Sequence, residues 1–126
     1  PLSSVLQDQA WLEGDFIETV QKRGAEVIRA RGKSSAASAA NAIIDHVKAF
    51  MNETETGRWY SSGVFSKGNP YGIDEGLIFS FPIVSKGGGD WTFVDHLTLS
   101  ESLTERIKLS EAELIKERDS VKQWLR

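Results

Sequence analysis

Two histidines, His46 and His96, are the side chains of this 126-residue sequence whose ordinary pKa lies nearest neutrality, and each directly follows an aspartate. An imidazole oriented by a carboxylate is the arrangement of a general base. Neighbours in sequence do not face one another on a helix or a strand, so Asp45-His46 and Asp95-His96 do not build that pair by adjacency. Both histidines are therefore expected at the surface. No spacing of His, Asp and Glu matches a metal-ligand set, and the absence of Cys excludes thiolate sites and disulfides. The run Gly87-Gly88-Gly89 could be taken for a phosphate loop. Such a loop needs a strand before it and a helix opening behind it, whereas strand-forming residues, Trp91 to Val94, follow here. A hairpin turn is the expectation.

Arg29, Arg31 and Lys33 form a short basic cluster where a helical pattern ends, and positive charge there complements the helix dipole. Ser34 and Ser35 follow, leading into Ala36, Ala37 and Ser38. One serine hydroxyl suffices to cap a helix. A second serine and small residues behind it leave a shallow, polar, positively biased helix end that suits a small anionic ligand. A cap with close packing and a pocket wall both fit these residues.

The elements that would position them read as α+β. Apolar positions from Asp15, namely Phe16, Ile17, Val20, Gly24, Val27 and Ile28, recur at helical spacing up to Gly32, which suits the C′ role. A second helix is expected from about Ser34 to Met51, closed by the break Asn52 to Gly57. Three antiparallel strands are expected over Arg58–Ser66, Leu77–Ser85 and Trp91–Leu97, separated by the turn segment KGNPYGIDEG and the hairpin KGGGD. Pro82 predicts that its strand lies at an edge or carries a bulge. The last helical stretch begins near Ser100. Ser110 and Glu113 match a capping box, with Leu109 and Leu114 as its staple, which predicts a break after about Lys108. Glu111, Glu113 and Glu117 with Lys116 and Arg118 read as a solvated face.

The stretch WLEGDFIETVQKRGAEVIRARGKSSAASAANAIIDHV resembles the C-terminal domain of malate dehydrogenases, in the group with cytosolic, chloroplast and many bacterial enzymes. GRWYSSGVFSKGNPYGIDEGLIFSFPIVSKGGGDW and SEAELIKERDSVKQWL extend the resemblance over nearly the whole chain. It implies that residues 1–126 are the substrate-binding domain, lacking the N-terminal Rossmann domain that binds most of the NAD. The catalytic His–Asp pair and the carboxylate-gripping arginines would belong to that missing part. Alone, the chain would then be inactive towards malate and oxaloacetate. Carried over residue by residue, Ser35, and next to it Ser34, would line the substrate and nicotinamide pocket. Gln21, Gly24 and Ala25 would lie in a homodimer interface. The absence of a cysteine-bearing regulatory extension favours NAD over NADP. A non-catalytic dimerisation or partner-binding module is the alternative.

Composition sets the outer limits. Hydrophobic residues make up 40% and charged residues 26%, ordinary for one globular domain. A net charge of −3 gives no electrostatic footprint for nucleic acid. No apolar run approaches the roughly 20 residues of a membrane span. The start, PLSSVLQDQAW, lacks the basic and apolar regions of a signal peptide, so a cytoplasmic location is the expectation.

Overall fold

A computed structural model describes residues 5–6 and 8–124 and divides into two compact units, Pro1–Asp45 and His46–Arg126. In the first unit, helix α1 spans Gln9–Glu13 and α2 spans Asp15–Arg31. Asp8 opens α1, its Oδ1 accepting from the Trp11 amide at 3.0 Å. The rings of Trp11 and Phe16 meet at 5.1 Å across the break at Gly14. Helix α2 carries Asp15 and Glu18 in its first turn and Arg29 and Arg31 in its last, the charge order the macrodipole favours. Gly32 ends it as expected, in the left-handed conformation at φ 70°, with its N–H donating to the Ile28 carbonyl at 2.8 Å.

Helix α3, Ala36–Met51, begins two residues later than its sequence pattern suggests. The Ser35 carbonyl accepts from the amides of Ser38 and Ala39 and from the Ser38 hydroxyl, at 2.9–3.2 Å. At its other end the helix is closed by the Asn52 side chain, which donates to the Lys48 carbonyl at 2.7 Å.

The second unit is a three-stranded antiparallel sheet in the order β1–β2–β3, formed by Tyr60–Phe65, Ile78–Gly87 and Asp90–Phe93. Alternation decides its faces: Ser62 and Val64 of β1 and Phe81, Ile83 and Ser85 of β2 point inward and are buried. The register places Ser62 opposite Phe81 and Val64 opposite Phe79. Ile73 and Leu77, from the segment before β2, complete the buried cluster, with Phe50, Ile107, Leu114 and Ile115 packed against it. Phe81 is its centre, contacting the rings of Phe93 at 5.0 Å, Phe79 at 5.5 Å and Tyr71 at 6.2 Å. The expected hairpin forms, with a tip shorter than the KGGGD segment: Gly88 and Gly89, at φ 64° and 91°, make it alone, with a register shift between Ser85 and Gly87.

One expectation is met only in part and one is overturned. The strand of Pro82 is central rather than an edge, and the bulge it carries lies between Ser85 and Gly87, away from the proline. In an antiparallel ladder a residue's N–H and C=O point to the same neighbour. The Pro82 carbonyl accepts from the Val94 amide at 3.0 Å, one residue past the end of β3. Its missing N–H therefore falls where β3 has run out, and the β1 ladder loses nothing. The second correction concerns the last helix. Helix α4 runs unbroken from Glu101 to Ser120, straight through the supposed capping box at Ser110 and Glu113. The cap is Ser100, at φ −69° and ψ 157°, whose hydroxyl accepts from the Leu103 amide at 3.3 Å. An S-x-x-E pattern signals a helix start only where the backbone leaves helical geometry, and at Ser110 it does not.

Candidate functional site

The serine end of α3 is a short irregular crossing between two helices. Gly32 ends the preceding helix, Lys33 and Ser34 are exposed, and Ser35 is half-buried at the helix mouth. The Arg31 guanidinium reaches forward over Gly32, its Nη1 3.5 Å from the Ser34 carbonyl. Among the described residues, neither serine hydroxyl accepts from an amide of α3; the helix start is bonded through the Ser35 carbonyl and the Ser38 side chain. The expected serine cap is thus absent, and both hydroxyls are left for other use. Ala36, Ala37 and Ala39 beside them carry small, exposed side chains.

On α2, Gln21, Gly24 and Ala25 share one face through their i, i+3 and i+4 spacing, and all three are exposed. A Cβ added at Gly24 would meet nothing within 4 Å, so this stripe is open.

Among the described residues, His46 is paired with no carboxylate, and His96 meets only its exposed neighbour Asp95. His46 Nε2 lies 3.0 Å from the hydroxyl of buried Ser62, and its ring meets Tyr60 edge-on at 5.8 Å. This is structural satisfaction of a buried polar group. His96 Nδ1 stands 3.7 Å from Asp95 Oδ1, and both side chains are more than three-quarters exposed. The strand expected through Leu97 stops at Phe93, and the irregular segment beyond it lets neighbours meet. Among the described residues no group of His, Cys, Asp or Glu could hold a metal ion, and no helix is long and apolar enough to cross a membrane.

The sequence reading missed the polar groups that order the second unit. Asn69 is the hub of the turn segment. Its Nδ2 donates to the carbonyls of Ser66 and Ile73 at 2.7 and 2.8 Å, and its Oδ1 accepts from the amides of Tyr71 and Ile73 at 3.1 Å. Asn before Pro is a recognised turn signal, but it does not announce four bonds. Glu111 and Arg118 are not part of a solvated face. They continue the stripe of Ile107, Leu114 and Ile115 and grip the turn segment: Glu111 Oε1 accepts from the Asp74 amide, and Arg118 Nη1 donates to Asp74 Oδ1, both at 2.6 Å. The hydrogen bond to Asp74 holds the Arg118 pKa above its ordinary value. Ser85, buried, ties the sheet to the end of α3 by donating to the Phe50 carbonyl at 2.7 Å. Burial raises the pKa of the Tyr60 hydroxyl, whose oxygen has no hydrogen-bond partner among the described residues.

A dinucleotide does not fit this chain alone. Its crevice needs parallel strands, a crossover helix and a glycine turn opening that helix. The described strands are all antiparallel, and the triple glycine joins two of them.

An α+β domain with its polar helix crossing, antiparallel sheet and terminal helix is what known proteins match. The family described as lactate/malate dehydrogenase, alpha/beta C-terminal domain, matches residues 1–124, and the chain belongs to that family. A malate dehydrogenase of Protochlamydia amoebophila is 52% identical over 126 residues, all of this chain and 38% of that protein. The chloroplastic NADP malate dehydrogenase 1 of Sorghum bicolor is 47% identical over 121 residues, 96% of this chain and 28% of that protein. Among solved structures, malate dehydrogenase from Naegleria fowleri superposes with a TM-score of 0.85 at 39% identity, over 94% of this chain and 36% of that one. Lactate dehydrogenase of Trichomonas vaginalis, in complex with NADH and oxamate, does so at 0.84 and 31%, over 95% and 36%. The chain thus spans about a third of the length of these relatives.

Proposed function

We propose that this chain is the substrate-binding part of a malate dehydrogenase, an oxidoreductase that interconverts malate and oxaloacetate with a nicotinamide cofactor. The carrying observation is the likeness to malate dehydrogenases over the full length of the chain. In this reading Ser35, with Ser34 beside it, lines the pocket where substrate and nicotinamide meet, which accords with hydroxyls that the helix does not use. Gln21, Gly24 and Ala25 form part of a homodimer interface. NAD is the preferred cofactor and is held mainly by a separate Rossmann domain, since the antiparallel sheet here offers it no crevice; the NADP specificity named for the Sorghum relative is the competing outcome. The compartment proposed is the cytoplasm.

The test compares the isolated chain with the full-length gene product. Calorimetric titration with NADH should give saturable binding and oxaloacetate-dependent oxidation only for the full-length protein. Micromolar NADH binding by the isolated chain would contradict the separate cofactor domain, and a full-length protein inert towards both cofactors and oxaloacetate would favour a non-catalytic dimerisation or partner-binding module.

A further inference from the structure

From Val27 to Ile44 the chain carries three cations, Arg29, Arg31 and Lys33, and no acidic residue, in a sequence of net charge −3. Elsewhere on α2 the cations are paired, Lys22 with Glu18 and Arg23 with Glu26. Among the described residues, Arg29, Arg31 and Lys33 have no carboxylate partner. The macrodipole of α2 accounts for Arg29 and Arg31 in its last turn, but Lys33 lies beyond the helix end. Nor does the dipole explain why Arg31 extends forward to the Ser34 carbonyl rather than back along its own helix. An arginine has five donors, and this contact uses one, so the rest of the fork is open to an anion.

We propose that Arg31 and Lys33, with Arg29 behind them, form a collar that recruits a doubly charged dicarboxylate to the serine end of α3. The inference rests on the pocket reading of Ser34 and Ser35 and adds to it the residues that draw the substrate in. These cations lie at the surface and act through their field rather than by contact with reacting atoms. A unit cation about 10 Å from a dianion in water changes its local concentration by about two- to fourfold at low ionic strength. In salt the same field is cut off, with a Debye length of roughly 10 Å at 0.1 M and 3 Å at 1 M.

The experiment uses the full-length enzyme and oxaloacetate. The double variant Arg31→Gln/Lys33→Gln should lose about three- to tenfold in kcat/KM at roughly 20 mM ionic strength, with the loss falling on KM. At about 0.5 M salt the difference should shrink below about 1.5-fold. Arg31→Lys, which keeps the charge, should retain the salt slope of the parent, and Lys116→Gln on α4 should not alter it. A loss that is independent of salt, a slope unchanged by the double variant, or an equal effect of Lys116→Gln overturns the collar. Ser35→Phe measured in parallel separates the two layers. If it abolishes turnover while the double variant keeps the parent's slope, the collar alone fails; if it leaves turnover untouched, the pocket reading fails and the collar with it.

Discussion

Two tyrosines show how a single hydroxyl decides whether burial helps. The Tyr71 hydroxyl donates to the Val94 carbonyl, whereas the Tyr60 oxygen is buried without a partner. Losing a paired hydroxyl costs about 1 kcal/mol, while removing an orphaned one relieves a desolvation penalty. Tyr71→Phe should therefore destabilise by about 1 kcal/mol, and Tyr60→Phe should be neutral or stabilising; chemical denaturation of both variants checks the contrast. Burial also raises the pKa of both hydroxyls above the usual value near 10, with Asp95 adding to the rise at Tyr71. A folded-state pKa raised above the unfolded one contributes stability that is complete below the unfolded pKa and is lost as pH rises through the folded one. Stability should fall above about pH 10, and less steeply in Tyr60→Phe. Asn69 makes four bonds to the turn backbone, and Asn69→Ala should cost about 2–3 kcal/mol.

Among the elements, α4 shows what a pattern conveys and what it omits. Its sheet-facing stripe recurs at Ile107, Leu114 and Ile115, but Glu111 and Arg118 occupy the same stripe and meet polar partners in the Asp74–Glu75 segment. Charge on a helix reads as solvated when hydropathy is the only guide, because the partner is about 40 residues away and nothing local marks it. Ser110→Ala should then change stability by less than about 0.5 kcal/mol, while Ser100→Ala should cost about 1 kcal/mol; equal effects would contradict the unbroken helix. The end of α2 at Gly32 and the Gly88-Gly89 turn were legible because each depends on a positive φ that glycine supplies locally. Pro82 was legible only in part. Proline announces a missing donor, but only the length of β3 decides that the donor is not missed.

For the whole molecule, the question is what covers its helices. No residue of α2 or α3 is buried, although both carry apolar faces. Val20 and Ile28 on α2 and Ile43, Val47 and Met51 on α3 are each half or more exposed. Such faces promote association. The isolated chain should self-associate with rising concentration in analytical ultracentrifugation, and a monodisperse monomer at high concentration would contradict this. Family membership was legible from VQKRGA, GKSSAAS, GNPYGI and FSFP, whereas the role of the serine crossing was not: its bonds run through a carbonyl that no side-chain pattern reports. The central claim is that this crossing borders the reacting centre of a malate dehydrogenase, and turnover of oxaloacetate by full-length Ser35→Phe tests it most directly. A ring placed there should lower turnover about 100-fold, since a misplacement of about 1 Å at a reacting centre costs that much. NADH affinity should fall far less. Unchanged kinetics with a lowered melting temperature would contradict the account and leave Ser35 a structural residue of α3.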